Sequence, residues 1–224
     1  MTLSDFSVRA PEGGLLGADS VNVHTYNSDG DESGNYSYLD QAAIDGNGYT
    51  CEPGWYTYDS IGGWTFESAN DVILPFGTGV MVISDCGADI CCAGEVPKTS
   101  IDLVLNDQLT TAGFSYLGNC SPVSNKLKDI GVVAPEGGLT GADSVNIHTY
   151  NSDGDESGNY SYLDQAAIDG NGYTCEPGWY TYDSIGGWTF ENVGELQLAA
   201  GQMFMVISDC GATISIPSPL TENK

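Results

Sequence analysis

Apolar and polar residues alternate in short runs along this chain, with a period of two. Between Ser20 and Tyr26, for example, Val21, Val23 and Thr25 fall on one face, which indicates a strand with one buried face. Similar runs, rich in aromatic and β-branched residues, recur about every eight to twelve residues between Gly, Pro, Asn and Asp turns. The run Gln41–Ile44 is too short to predict a helix. The pattern therefore predicts an all-β protein of antiparallel, β-sandwich-like architecture.

One long stretch of the chain occurs twice. Residues Ala10–Glu67 return as Ala134–Glu191, so each residue recurs 124 positions later. The copies differ at two positions, Leu16 against Thr140 and Val23 against Ile147. This period is far longer than that of solenoid repeats, so each copy should have its own core. We predict two tandem β-domains, at residues 1–98 and 99–224.

The segment Thr99–Ser124 has no copy elsewhere in the chain. Within it, Ser100–Leu105 and Gly113–Asn119 are predicted strands that precede the second copy. If each domain needs both strands, the first domain has an open sheet edge and an uncovered core face. Such an edge pairs readily with another chain, which predicts strand addition or swapping between molecules.

The start of the chain offers a second interpretation of the same feature. Met1–Asp5 aligns with Asn125–Asp129, which lies inside the second repeat unit. The chain therefore begins within a repeat, and we expect a further piece upstream. On this interpretation the chain belongs to a longer array, and the strands that complete the first domain precede it.

The charge balance limits the partners of the protein. Its 224 residues include 31 acidic and 5 basic ones, for a net charge of -26. Nucleic acid is not a predicted partner, because phosphate binding needs a basic surface. No apolar stretch reaches the roughly 18 residues of a membrane span, so we predict no membrane insertion.

Seven cysteines point to an oxidising, extracellular or cell-surface location. Two of them recur in the second copy, and the simplest pairings are Cys51 with Cys86 and Cys175 with Cys210. The three others are Cys91, Cys92 and Cys120. A bridge from Cys120 to Cys91 or Cys92 leaves one thiol over, and Cys86 with Cys120 is an alternative. The spacing is unlike that of zinc sites.

A polar loop in each copy carries hard oxygen ligands at odd spacing. In the first copy these are Asn27, Asp29 and Asp31, and in the second they are Asn151, Asp153 and Asp155. Calcium requires six to eight oxygen ligands with carboxylates among them, so calcium is the candidate cofactor. The loop lacks the glycine and the terminal glutamate of an EF-hand, and a solvated acidic turn is the alternative interpretation.

Aromatic residues form the richest candidate binding set. The rings considered for stacking on sugars are Trp55, Tyr56, Trp64, Trp179, Tyr180 and Trp188. Alternating aromatics in strands are otherwise core residues, which is the competing interpretation. If they are exposed, glycans are candidate ligands.

The remaining motifs indicate no catalytic site. His24 and His148 lie on the polar face of a strand, without a nucleophile at an informative spacing, so we predict surface histidines and no enzyme. Three sequons make Asn35, Asn119 and Asn159 candidate glycosylation sites.

Several loose motifs resemble tandem domains of large secreted or surface proteins of environmental and gut bacteria. They are Gly113–Pro122, Leu127–Ile130, Gly178–Tyr180 and Leu74–Gly79. The resemblance covers most of each unit and implies β-structure and secretion.

Together these features predict an extracellular structural protein, a self-assembling subunit of a fibre, sheath or surface layer whose partner is itself. A pair of carbohydrate-binding or adhesive modules is the alternative, in which two identical sites gain avidity from their linkage.

Overall fold

The computed structural model of the protein describes residues 1–27, 29–59, 63–75, 77–92, 98–105, 114–119, 121–151, 153–183, 187–218 and 220. The chain forms two compact units. The first comprises Met1–Tyr26 and Asp31–Glu95, and the second comprises Asn27–Gly30 and Val96–Lys224. Both consist mainly of antiparallel strands, which confirms the predicted all-β, sandwich-like fold.

The described part of the first unit contains seven strands and one α-helix. They are β1 (Phe6–Arg9), β2 (Val21–Tyr26), β3 (Glu32–Leu39), α1 (Gln41–Asn47), β4 (Gly54–Asp59), β5 (Gly63–Ser68), β6 (Met81–Ser84) and β7 (Asp89–Cys92). A 3-10 turn at Leu3–Asp5 precedes β1. Five strands form one sheet in the order β5-β4-β3-β2-β6, and β1 pairs with β7.

The second unit repeats this plan and adds strands to it. Its elements are β8 (Ile101–Val104), β9 (Phe114–Gly118), β10 (Asn125–Lys126), β11 (Gly131–Val133), β12 (Val145–Tyr150), β13 (Glu156–Leu163), α2 (Gln165–Asn171), β14 (Gly178–Asp183), β15 (Gly187–Asn192), β16 (Gln197–Leu198), β17 (Met203–Ser208) and β18 (Thr213–Ile216). The main sheet has the order β15-β14-β13-β12-β17-β9. A second sheet has the order β11-β18-β8, and β10 pairs with β16.

The predicted strands are largely present, with two local differences. Val21, Val23 and Thr25 of β2 are buried, as the alternation predicts. Strand β3 begins at Glu32, inside the stretch that the composition assigns to a polar loop, because its polar residues pair across the sheet with β2. The apolar run Val72–Leu74 forms no strand, only a single bridge between Ile73 and Thr2.

A short helix follows β3 in each unit, although the sequence pattern did not predict one. Asp40 specifies its start, since its Oδ1 accepts a hydrogen bond from the Ala43 amide at 2.8 Å. Its Oδ2 accepts a second bond from the Leu15 amide at 2.9 Å. Gly48, at φ 68°, ends the helix in the left-handed region. Because one carboxylate satisfies both the helix and the preceding loop, seven residues suffice for a helix here.

The glycine before Leu15 explains how closely that loop approaches the helix. Gly14 has φ +86°, and a Cβ at this position would overlap the side chain of Ala42. The second unit reproduces the arrangement with Asp164, which accepts from the Leu139 and Ala167 amides at 2.9 and 2.8 Å. The same local sequence therefore forms the same arrangement in both units. We call this aspartate with its two backbone amide donors the aspartate clamp.

Each unit encloses its own hydrophobic core. Trp55 and Leu39 in the first unit, and Trp179 and Leu163 in the second, are among its fully buried side chains. The Trp55 ring packs edge-on against Tyr38, with centroids 5.3 Å apart. Separate cores agree with the prediction that each copy folds around its own interior.

The 3-10 turns mark equivalent points of the two units but differ in charge. Leu3 and Leu127 are both fully buried beneath their turns. In the second unit, Lys126 and Lys128 contact the Glu195 carboxylate, and their hydrogen bonds lower its pKa to about 2. All three groups are exposed, so salt screens these ion pairs.

The aspartate clamp is testable by a pair of substitutions in the second unit. We expect Asp164→Ala to lower its free energy of unfolding by about 2 kcal/mol, since two backbone amides lose a charged acceptor. The matched control is Asp169→Ala on the same helix, whose exposed carboxylate accepts only from Gln165, with an expected cost of about 0.5 kcal/mol or less. Urea titrations of both variants provide the measurement, and equal costs would contradict the clamp.

Candidate functional site

The two units differ most at one edge of the main sheet. In the second unit, β17 lies between β12 and β9. Its counterpart in the first unit, β6, pairs with β2, and no described strand pairs with its other side. In the part of the chain that the structure describes, the outward N–H and C=O groups of β6 therefore have no strand partner.

Side-chain exposure follows this difference in pairing. Val82 and Ile83 of β6 are each 45% exposed, whereas Val206, the counterpart of Val82, is 0% exposed. Ser84 is likewise exposed and its counterpart Ser208 is buried. These stretches share the sequence Met-Val-Ile-Ser-Asp-Cys-Gly-Ala. The surroundings of the strand, and not its own residues, thus cause the exposure.

A second open edge lies on the smaller sheet. In the second unit, β18 pairs with β11 on one side and with β8 on the other. Its counterpart β7 pairs with β1, and within the described ranges its remaining edge has no strand partner. Ile90 of β7 is only partly buried, while Ile214 of β18 is fully buried. We call the unpaired sides of β6 and β7 the open edges.

The second unit shows what closes such edges. Leu105, after β8, and Leu117, in β9, are buried in the core. The Leu105 amide donates to the Ala212 carbonyl at 2.9 Å. The Asn119 amide, just after β9, donates to the Gln202 carbonyl at 2.8 Å. The two strands thus supply both backbone hydrogen bonds and apolar cover.

The open edges have a chemistry suited to binding extended polypeptide. Proteins usually protect edge strands with charged residues or proline. Strand β6 contains neither, and β7 has one charged residue, Asp89, at its start. The unpaired backbone groups of β6 and the exposed Val82 together match what is needed to bind an added β-strand.

Four of the predicted sugar-stacking rings lie in the cores. Trp55 and Trp179 are each 1% exposed, and Tyr56 and Tyr180 are 6% and 4% exposed. Burial accordingly raises the pKa of both tyrosines. Their assignment as sugar-binding residues is therefore wrong, because a buried ring cannot stack on a ligand. The side chains of Trp64 and Trp188 lie outside the described part of the chain.

The predicted calcium loops are built around their asparagines. The Asn151 Oδ1 accepts hydrogen bonds from the Asp153 and Asp155 amides, both at 2.9 Å. Asn27 makes the equivalent bond to the Asp29 amide at 2.9 Å. These amide oxygens brace the turn, as in an Asx turn. Among the described residues, no group of three or more His, Cys, Asp or Glu side chains is placed to hold a metal ion.

The described cysteines are all free thiols in this structure. Each predicted pair, Cys51 with Cys86 and Cys175 with Cys210, packs against one core without forming a disulfide. The pairings therefore stay predictions. Cys91 is an exposed thiol on β7. Cys120 and the side chain of Cys92 lie outside the described residues.

The side-chain amide of Asn119, a predicted glycosylation site, is buried and makes several hydrogen bonds within the protein. Asn119 is 2% exposed, and its Nδ2 donates to the Leu198 and Ala199 carbonyls at 3.0 and 2.8 Å. Its Oδ1 accepts from the Asn125 Nδ2 at 2.9 Å. Glycosylation of Asn119 does not fit this fold, because a glycan would replace these bonds. Asn35 and Asn159 are partly exposed.

The histidines are not the surface residues that the sequence predicts. His24 and His148 are each 8% exposed. Their Nδ1 atoms lie 2.6 and 2.8 Å from the carboxylates of Glu32 and Glu156 on the neighbouring strand. The pairing partner is eight residues away in sequence, so alternation alone could not reveal it.

Comparison of the chain with protein-family models, curated proteins and solved structures finds no match. Among the described residues, no helix is both long and apolar enough to cross a membrane. The site is therefore interpreted from its own geometry.

The open edges predict unequal protection of the two units. We expect the outward amides of β6 to exchange about tenfold or more faster than those of β17, because they lack a partner strand. Hydrogen exchange with mass spectrometry can test this on peptides from Ser68–Cys92 and Asn192–Ile216, which differ in sequence between the units. Equal exchange would show that the edge of β6 is already covered.

Two matched substitutions measure the difference in burial. We expect Val82→Asp to destabilise the first unit by about 1 kcal/mol or less, because the side chain is half exposed. Val206→Asp should destabilise the second unit by about 4 kcal/mol or more, because it buries an unpaired carboxylate. Urea titration followed by circular dichroism provides both values. Similar costs at the two positions would contradict the exposure difference.

Proposed function

We propose that the protein is an extracellular structural protein, a self-assembling subunit of a fibre, sheath or surface layer. Molecules would join by adding β-strands at the open edges of the first unit. The observation that carries the proposal is the 45% exposure of Val82 and Ile83 on an unpaired strand. Burying these side chains and pairing the backbone of β6 would favour association.

The strong acidic charge is compatible with this mode of contact. A net charge of -26 opposes non-specific association, since like-charged molecules repel one another. Strand addition relies on backbone hydrogen bonds and apolar contacts, which need no basic partner surface. At physiological ionic strength the Debye length is about 8 Å, so the repulsion acts only at short range. Assembly should therefore increase with salt.

The extracellular part of the proposal rests on composition. The chain has seven cysteines, few basic residues, and many Gly, Tyr and Asn residues. This composition is typical of secreted β-proteins. Oxidation would then join Cys51 to Cys86 and Cys175 to Cys210. Each of these bridges would stabilise its unit by roughly 3 to 4 kcal/mol in the chain-entropy model.

Assembly is testable by sedimentation velocity and negative-stain electron microscopy over a range of protein and salt concentrations. We expect regular filaments or sheets at physiological salt and their loss in Val82→Asp, because the charge would lie in the contact. Leu16→Asp is the matched control, since Leu16 is 80% exposed in the loop before β2, outside β6 and β7, and the second copy has Thr140 there. The control should assemble like the original protein.

Two further conditions separate alternative causes of association. A reducing agent removes links through the exposed Cys91, and a calcium chelator tests whether the acidic loops contribute. Single particles at every concentration and salt level would overturn the proposed function. Assembly of Val82→Asp equal to that of the original protein would place the contact elsewhere.

A further inference from the structure

We propose that the open edges of the first unit form an acceptor site for a two-stranded β segment supplied by another polypeptide. The segment has the sequence chemistry of β8 and β9, with one strand added to β7 and the other to β6. This inference rests on the proposed function and deepens it, since it names the partner of the open edges.

The chain itself displays the occupied form of the site. Residues Ala10–Glu67 and Ala134–Glu191 are almost identical, and after a divergent stretch the shared sequence resumes at Met81 in β6 and Met205 in β17. In the second unit, β8 and β9 cover the edges that the first unit leaves open. Two nearly identical folds should accept the same closing element, so β8 and β9 define what the first unit can bind.

The occupied unit also specifies the register at β6. In the second unit, Val206 lies opposite Ser115, and Ile207 lies opposite Phe114. A shift of 124 positions places Val82 opposite a Ser115-like residue and Ile83 opposite a Phe114-like residue. Antiparallel pairing in this register would satisfy the outward backbone groups of β6.

The register at β7 places no two carboxylates directly opposite each other. In the second unit, Thr213 lies opposite Val104 and Ser215 lies opposite Asp102. Transferred to the first unit, Asp89 would lie opposite the valine, and Cys91 would lie opposite the aspartate. The two carboxylates therefore do not face each other, although both the acceptor and the segment are acidic.

Two leucines give the segment its specificity. Leu105 and Leu117 are 3% and 9% exposed in the second unit, where they belong to the same hydrophobic core as Val206. The corresponding Val82 remains 45% exposed in the first unit. A strand that offers only backbone groups would leave this apolar surface in water. The acceptor therefore favours a segment with apolar residues at both leucine positions.

The segment must come from outside the chain's own second unit. There, β9 pairs with β17 over five residues and β8 pairs with β18 over four. Moving these strands to a first unit would open equivalent edges in the second unit, so exchange gains little. A donor whose β8-like and β9-like strands are not already paired does not carry this cost.

The probe for the test is a synthetic peptide comprising Thr99–Asn119, added to the full chain. We expect saturable binding by fluorescence anisotropy, with hydrogen exchange in Ser68–Cys92 slowed about tenfold or more. The stretch Asn192–Ile216 serves as the internal control, since its edges are already paired. The control peptide carries Leu105→Asp and Leu117→Asp and should not bind, and Val82→Asp in the chain should weaken binding of the original peptide.

Defined outcomes would overturn the inference. The inference is contradicted if the peptide does not bind. It is also contradicted if the peptide binds but hydrogen exchange in Ser68–Cys92 stays unchanged, because the peptide then binds at another site. Equal binding of the leucine-substituted peptide would show that the edges accept any strand. If the protection of β6 increases with protein concentration and the peptide does not change it, the edge of β6 pairs directly between two molecules of this chain.

The same data distinguish this inference from the proposed function. Filaments that form while the peptide neither binds nor blocks them would leave the structural function standing and remove the acceptor site. Specific peptide binding to a protein that never assembles would retain the acceptor site and overturn the structural function. A peptide that binds and also blocks filament growth would support both.

Discussion

Every strand of a sheet presents backbone donors and acceptors on both sides, and those that leave water must find partners. A sheet that covers a core must also extend far enough to shield the apolar side chains beneath it. In the second unit, β9 pairs with β17 and β8 pairs with β18, and Leu105 and Leu117 complete the core cover. In the described part of the first unit, β6 and β7 have no such partner strands, and Val82 and Ile83 are each 45% exposed. The proposed function of the protein depends on this incomplete sheet.

The internal repeat makes this argument stronger than an isolated exposed patch would. Single exposed apolar side chains are common on soluble proteins and require no explanation. Here the same residue in the same strand is fully buried in one unit and half exposed in the other. Local sequence, strand pairing with β2 or β12 and the aspartate clamp are shared. The neighbouring strand β9 and the divergent residues that precede β6 and β17 are the differences between the units at this place.

The buried side chain of Asn119 shows the opposite condition, in which a polar group has its hydrogen-bond partners. Asn119 joins β9 to the loop after β16 through carbonyls about 80 residues away in the chain. Its burial costs little because its amide is saturated with hydrogen bonds. This asparagine helps to hold the end of β9 in place, so the strand that closes the second unit is itself anchored. An equivalent segment bound to the first unit would need a similar anchor, and the Asn119 position at its end could provide one.

Much of the fold could be predicted from local pattern. Alternation predicted β2, the run Gly113–Asn119 predicted β9, and the exact repeat predicted two domains and an unequal strand count. Tertiary contacts decided the remainder. The helix at Gln41–Asn47 depends on a carboxylate that also binds Leu15, and the His24 pairing depends on an adjacent strand. Trp55 is core and not a sugar platform, since a strand pattern shows that a ring faces one side but not which side is covered. The sequence determined which strands exist, whereas only the three-dimensional pairing decided which of their edges stay open.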